Sequence, residues 1–285
     1  MSAIPLKEKP LILYHASCSD GFCAAWLYRR HVNPQCEFRA VQYGSPAPPV
    51  EDRDVLILDF SYDRTQLLEM KEKSRSLLVL DHHQTAEAEL RGLDFCVFDL
   101  EKSGARLTWE YFFDPFADGS IDHPHWLVDY TEDKDLWRWK LNDSKAVNAA
   151  IASYPRLFHI WDKIAGRKPA DLAVEGKAIL RFQDRLIRPR VKNHGWSVIG
   201  GHRVPVTNST CLSSEIGNAL AQKHPFAAVF FITSDNRVVY NLRSTREEGL
   251  DVAEIARQYG GGGHKNAAGF MLDTMLPLEA DESDS

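Results

Sequence analysis

The chain has 285 residues, 44% of them hydrophobic, and a formal net charge of −6. That is enough for one large or two medium domains, each with a real core. The acidic balance argues against a broad electrostatic surface for duplex DNA, while leaving room for a local basic groove. The cysteines Cys18, Cys23, Cys36, Cys96 and Cys211 are odd in number and contain no CxxC pair. A reducing cytoplasm is therefore expected, not a disulfide framework. The start of the chain has no signal-peptide pattern, and no apolar run approaches the about 18 residues of a membrane span, so no membrane association is expected.

In chain order, Pro10 to Tyr14 read as a buried strand that runs into His15-Ala16-Ser17-Cys18-Ser19-Asp20-Gly21. An apolar helix opens at Phe22. Gly21 permits a tight turn, and Asp20 sits where a carboxylate would meet the helix N-terminus. A cap accounts for Asp20 but not for His15 or Cys18. Phe38 to Val41 form a short strand, and Gly44-Ser45-Pro46-Ala47-Pro48-Pro49 a loop. Val55 to Leu58 repeat the first pattern, a buried strand and then an acid, Asp59. Asp63 to Lys73 read as a helix. Ser76 to Leu80 read as a strand leading straight into Asp81-His82-His83, and Phe95 to Phe98 as another. Ser103-Gly104-Ala105 precede an apolar helix from Arg106 to Phe113.

Three strands thus end in residues able to bind a metal or a proton. Alternation of strands and helices implies a doubly wound, mainly parallel sheet with these ends on one edge. Open α/β sheets hold their ligands there. His15, Cys18, Asp20, Asp59, Asp81, His82 and His83 are expected to converge on that edge, because so many polar groups are costly to bury without partners.

Beyond His123, Trp126 to Trp137 are helical in pattern and rich in acids; Asp129, Asp133 and Asp135 could each supply one more ligand. Asp171 to Asn193 read as a long amphipathic helix between two domains, interrupted near Pro189. Trp196 to Ile199 and His202 to Thr207 read as strands, and Ser213 to Lys223 as a helix. Phe226 to Thr233 and Arg237 to Leu242 read as a hairpin. A helix from Leu250 to Tyr259 leads into Gly260-Gly261-Gly262-Gly263-His264-Lys265. Four glycines exceed the needs of a helix cap and suit either a flexible linker or a backbone cradle for an anion. The close-packed Ala267-Ala268-Gly269-Phe270 continuation favours the cradle. The expected division is residues 1–170, a connecting helix at 171–195, a second domain at 196–278 and a disordered acidic tail at 279–285.

Imidazole and carboxylate together suit manganese, iron, cobalt or zinc better than calcium. The donors outnumber the four that a structural zinc needs. The excess points to two ions sharing a bridging carboxylate, an arrangement that serves phosphoryl chemistry.

The segments His15…Cys18…Asp20-Gly21-Phe22, Leu58-Asp59-Phe60, Asp81-His82-His83 and Gly261-Gly262-Gly263-His264…Ala267-Ala268-Gly269-Phe270, in this order, resemble the DHH phosphoesterase superfamily with its DHH-associated C-terminal domain. The likeness covers nearly the whole chain and is nearest the branch of short-oligonucleotide (nano-RNA) hydrolases and cyclic-nucleotide phosphodiesterases. It implies an α/β fold, a long helix joining a smaller α/β domain, and an active site in the cleft between the two. It also implies two manganese ions, with magnesium, cobalt or iron as substitutes, and in-line attack of water on a phosphodiester. His15 would hold one ion, Asp59 would bridge, and Asp20, His82 and Asp133 would hold the other. Asp81 and His83 would orient ligands or touch the scissile phosphate. Arg243, Ser244, Gly261, Gly262, Gly263 and His264 match the substrate-binding motif. Where the superfamily commonly has an acid, this chain has Cys18, a thiol that also binds soft or borderline ions. The expected substrate is a short single-stranded oligonucleotide or nucleotide, not a duplex, and the expected assembly a monomer or homodimer. The alternatives are a cyclic mono- or dinucleotide phosphodiesterase, an adenosine bisphosphate phosphatase, a single-strand DNA exonuclease and a silent nucleotide sensor.

Overall fold

A computed structural model describes residues 9–16, 18–113 and 125–279. The polar start, Ser17, His123 and the acidic tail after Glu279 lie outside the described residues. The chain forms two compact units, Met1–Leu180 and Arg181–Ser285.

In the first unit, β1 (Leu11–His15), β2 (Glu37–Val41), β3 (Asp54–Leu58), β4 (Ser76–Asp81) and β5 (Cys96–Phe98) build one sheet in the order β2-β1-β3-β4-β5. Every pairing among them is parallel. Strands of such a sheet are covered on both faces and so read as nearly unbroken apolar runs; Leu11, Ile12 and Leu13 are all buried. The helices are α1 (Ser19–His31), α2 (Arg64–Lys73), α3 (Gln84–Leu90), α4 (Gly104–Phe112), α5 (Trp126–Asp135), α6 (Ser144–Ser153), α7 (Phe158–Ala165) and α8 (Pro169–Lys192). Alternate strand residues face opposite cores. Ile12 packs with Phe22 and Trp26 of α1, Trp109 of α4 and Leu127 of α5. Leu11 and Leu13 pack with Leu67 and Met70 of α2 and Leu90 of α3. The strand order turns back at β1, with β2 on one side and β3 on the other. This switch point leaves a crevice beyond the carboxyl ends of β1 and β3.

The division between the units falls within α8. The expected interruption is not there, and the helix runs through Pro189 to Lys192. Proline removes one N–H and crowds the preceding turn, but this one sits in the last turn, and its own carbonyl still accepts from Asn193 N at 2.9 Å.

In the second unit, β6 (Gly195–Ile199), β7 (His202–Asn208), α9 (Ser213–Ala221), β8 (Ala227–Ile232), β9 (Val238–Arg243), α10 (Val252–Arg257), β10 (Gly262–His264) and β11 (Ala267–Leu272) follow one another. The sheet order is β10-β11-β9-β8-β7-β6. Only β7 and β8 pair in parallel; the other pairings are antiparallel. Both helices are shorter than the sequence pattern suggests. Glu279 does not begin a free tail: its N–H donates to Trp196 O at 2.9 Å and its carboxylate pairs with Arg203. All five cysteines are free thiols. Among the described residues, no helix is long and apolar enough to cross a membrane.

Candidate metal centre

The crevice at the end of β1 and β3 collects most of the expected residues. His15 is the last residue of β1. Asp59 directly follows β3, and its N–H still donates to Leu80 O at 2.8 Å, so the sheet ladder holds it. Its φ of +56° lies in the left-handed region, which aspartate tolerates better than most residues. The turn points a buried carboxylate back over the strand ends, where His82 Nε2 lies 3.0 Å from one oxygen and His15 Nδ1 3.5 Å from the other.

Asp20 is the second residue of α1 and is 1% exposed. Its carboxylate serves a different helix end from the one expected. Oδ2 accepts from Gly104 N at 2.5 Å and Oδ1 from Ala105 N at 3.0 Å, at the start of α4. Ser103 caps that helix through Arg106 N. The helix end supplies unpaired donors and a positive pole, a natural seat for a carboxylate. Gly104 is also a spatial necessity, because a Cβ there would lie 2.5 Å from Asp59 Cβ. Gly21 has the same duty on the other side, where a Cβ would lie 2.7 Å from His15 O.

Asp81 is fully buried at the end of β4. Its Oδ2 accepts from Ser61 Oγ at 2.6 Å, and its Oδ1 accepts from His82 N at 2.8 Å and meets His83 Nδ1 at 2.7 Å. Burial works against the ionised carboxylate, but the neighbouring His83 outweighs it and holds Asp81 at about 2. Asp81 is thus an ionised anchor that fixes the His83 ring through Nδ1.

Within the first unit two triads of donor atoms emerge, each within 4.8 Å of one another: His15, Asp59 and His83 in one, Asp20, Asp59 and His82 in the other. Asp59 belongs to both. His83, expected as a supporting group, stands among the donors of the first triad.

Three expectations need correction. Asp133 is not the acid that reaches this cluster. Its Oδ1 accepts from Lys140 N at 2.8 Å and its Oδ2 from Leu141 N at 3.2 Å, which ties down the turn after α5. Asp135 takes the place near the triad, with Oδ2 3.5 Å from His82 Nε2. Cys18 belongs to neither triad; it is the N-cap of α1, and its Sγ accepts from Asp20 N at 3.3 Å. Ser244, in the second unit, is buried, and its hydroxyl accepts from Asn266 Nδ2 at 2.8 Å. Buried in this way, it secures the turn at Asn266.

Asp135→Asn is expected to weaken divalent-metal binding about tenfold or more, as loss of one charged neighbour of the donor cluster should. Asp133→Asn should keep the metal and lose about 1–3 kcal/mol of stability. Metal titration and thermal unfolding separate the two; the opposite pattern would restore Asp133.

In the rest of the second unit, β-register sets Arg243, Ala267 and His264 side by side across β9, β11 and β10. Arg243 donates to Ser214 Oγ at 2.8 Å, and burial lowers its pKa to about 10. The glycine run has structural work beyond any ligand. Gly260, at φ +76°, ends α10. A Cβ at Gly261 would lie 2.1 Å from Gly269 O, and one at Gly263 2.6 Å from Ala267 O. Close packing of β10 on β11 thus accounts for two of the glycines that the anion-cradle reading drew on, and Gly262 pairs with Gly269.

The comparisons with known proteins bear on this geometry. The DHHA1 domain family matches residues 210–282. Uncharacterized protein R106 of Acanthamoeba polyphaga mimivirus is 29% identical over 94% of this chain and 69% of its own length. Oligoribonuclease NrnB of Bacillus subtilis (strain 168) is 25% identical over 68% of this chain. These matches support a DHH-superfamily phosphoesterase. The chain spans about half of NrnB, 52% of that protein's length. A solved structure, the pGpG-specific phosphodiesterase PggH from Vibrio cholerae, shares the fold with a TM-score of 0.50, covering 93% of each chain at 14% identity.

DHH phosphoesterases are metal-dependent, and the donor set here fits a cation. Both Asp59 oxygens are buried and accept no well-formed hydrogen bond, an arrangement that folded proteins rarely leave uncompensated. Burial, and then the charges of Asp59 and Asp135, push the Asp20 carboxyl well above its ordinary range. Burial likewise opposes ionised Asp59, and only the His15 and His82 imidazoles hold it low. Three carboxylates crowd a space that a divalent ion would neutralise.

Proposed function

We propose that this chain is a divalent-metal-dependent phosphodiesterase that hydrolyses short oligonucleotides, nano-RNA and linear dinucleotides, to nucleoside monophosphates. The observation that carries the reading is Asp59, one carboxylate common to two donor triads. Such a carboxylate is what a two-ion site requires. His15, Asp59 and His83 would hold one ion; Asp20, Asp59, His82 and Asp135 would hold the other. Manganese is the first choice for this mixture of imidazole and carboxylate. When bound, the ions would lower the pKa of a water and neutralise charge on the phosphoryl oxygens.

The chain's own residues do the positioning. The Gly104 and Ala105 N–H groups grip Asp20 by both oxygens, and Asp81 fixes the ring of His83. Arg243 and His264, in one row of the second sheet, would supply donors for a nucleotide phosphate. The relative NrnB, an oligoribonuclease by name, supports a short RNA substrate. Five free thiols suit a reducing cytoplasm.

Incubation of 5′-labelled di-, tri- and pentanucleotides with the protein and manganese tests this. The expected result is mononucleotide release, fastest from the shortest chains. Turnover confined to cyclic nucleotides or to adenosine bisphosphate would replace the reading.

A further inference from the structure

The crevice has a side chain at its rim that neither the donor triads nor the fold accounts for. Tyr43 lies two residues beyond β2, the strand next to β1, and so on the same sheet edge as His15 and Asp59. Its ring stands edge-on to both histidines of the first triad, with centroids 5.6 Å from His15 and 6.0 Å from His83 at 77° to each. Phe60, the residue after Asp59, supports it from below at 4.8 Å. Yet the side chain is not core: Tyr43 is 53% exposed, while Phe60 beneath it is 1% exposed. Its hydroxyl makes no hydrogen bond within the fold among the described residues. A large aromatic ring, braced on one side, open on the other and beside a phosphate-type site, is what an unstacked base needs.

We propose that Tyr43 is a specificity residue, a platform on which the base next to the scissile phosphate stacks. The inference rests on the phosphodiesterase reading for the identity of the ligand. The three aromatic contacts fix the ring on the Phe60 side, so its open face costs little to organise when a base arrives. Stacking is tolerant of sequence, because every base has a π-face. Tyr43 would therefore select for nucleotides over other phosphodiesters without selecting among bases, and would act on binding more than on the chemical step.

The test compares the full-length manganese-loaded protein with its Tyr43→Leu and Tyr43→Phe variants. Two ligands are used: linear 5′-phosphorylated diadenylate, and the same dinucleotide with both bases replaced by hydrogen. Equilibrium Kd is measured by calorimetry on non-cleavable, phosphonate-linked forms of both ligands, with KM and kcat on the cleavable dinucleotide and bound manganese alongside. Tyr43→Leu is expected to raise Kd and KM for diadenylate about tenfold, the scale of one stacked base. It should leave kcat, bound manganese and affinity for the abasic ligand unchanged, and Tyr43→Phe should match the parent. Equal weakening toward both ligands, or manganese lost in step with affinity, would overturn the platform and reduce Tyr43 to a prop for His15 and His83. Because Kd is read without turnover, failure of the parent protein to cleave diadenylate would count against the phosphodiesterase reading alone. The Kd ratio would still decide the role of Tyr43.

Discussion

Asp59→Ala is expected to abolish manganese-dependent phosphodiester hydrolysis, with a loss of roughly a thousandfold or more in kcat/KM, about 4 kcal/mol of transition-state stabilisation. Within the first unit the other donors belong to one triad each, so their removal weakens one pole. Asp59 belongs to both, and its loss should disturb both ions together. Bound manganese is therefore expected to fall below one ion per chain, while single changes at His15 or Asp20 retain about one. Alanine at this position also carries a backbone cost, because residue 59 sits at φ +56° and a left-handed conformation disfavours alanine relative to aspartate or asparagine. Asp59→Asn separates the two effects. It keeps the shape and the turn and removes only the charge, so it should lose metal and activity nearly as fully while unfolding cooperatively. Hydrolysis by Asp59→Asn within tenfold of the parent, with manganese still bound, would refute the shared-ligand assignment.

The strand ends were legible because they obey a local rule. An apolar run buried on both faces must stop somewhere, and at β1, β3 and β4 it stops in His15, Asp59 and Asp81, without an intervening loop. Parallel strands then bring those ends to one edge. What depends on rotation about a helix, or on two distant segments meeting, was not legible. Asp133 and Asp135 differ by about 200° around α5, but that helix has polar and buried residues on most sides, so periodicity does not choose between them. The choice is made by the turn at Lys140 and Leu141, whose N–H groups claim Asp133. Nor does anything near Asp20 announce that its partners are Gly104 and Ala105; the Ser103-Gly104 step before an apolar helix marks a helix start, not its ligand. Ser61, which bonds Asp81, reads as an ordinary turn residue. The glycine run misled in part for the same reason. Its need for absent side chains is real, but β11 backbone, as well as any anion, supplies the close neighbour.

Gly104→Ala is the second large effect expected, and it tests whether α4 must approach Asp59 as closely as the structure has it. The added methyl would lie 2.5 Å from Asp59 Cβ and 2.9 Å from its Cα. Neither atom can swing away, since the Asp59 backbone is bound to Leu80 O and the residue is buried. The start of α4 must therefore retreat by about 1 Å to restore ordinary contact, a strain of about 1–3 kcal/mol by the usual cost of overpacking. The same retreat pulls the Gly104 and Ala105 N–H groups from the Asp20 carboxylate, which they hold at 2.5 and 3.0 Å. A carboxylate freed from two donors turns, and misplacement by about 1 Å costs on the order of a hundredfold in rate. The variant should fold, lose about that factor in kcat/KM, and bind manganese more weakly at the Asp20 pole than at the His15 pole. Gly166→Ala is the control. It closes α7 at φ −75°, and its nearest neighbour would be Lys163 O at an ordinary 3.6 Å, so activity and metal binding should not change. If Gly104→Ala and Gly166→Ala both match the parent in rate and metal content, the grip of α4 on Asp20 is packing alone, and the metal pole must be held by His82 and Asp135 without it.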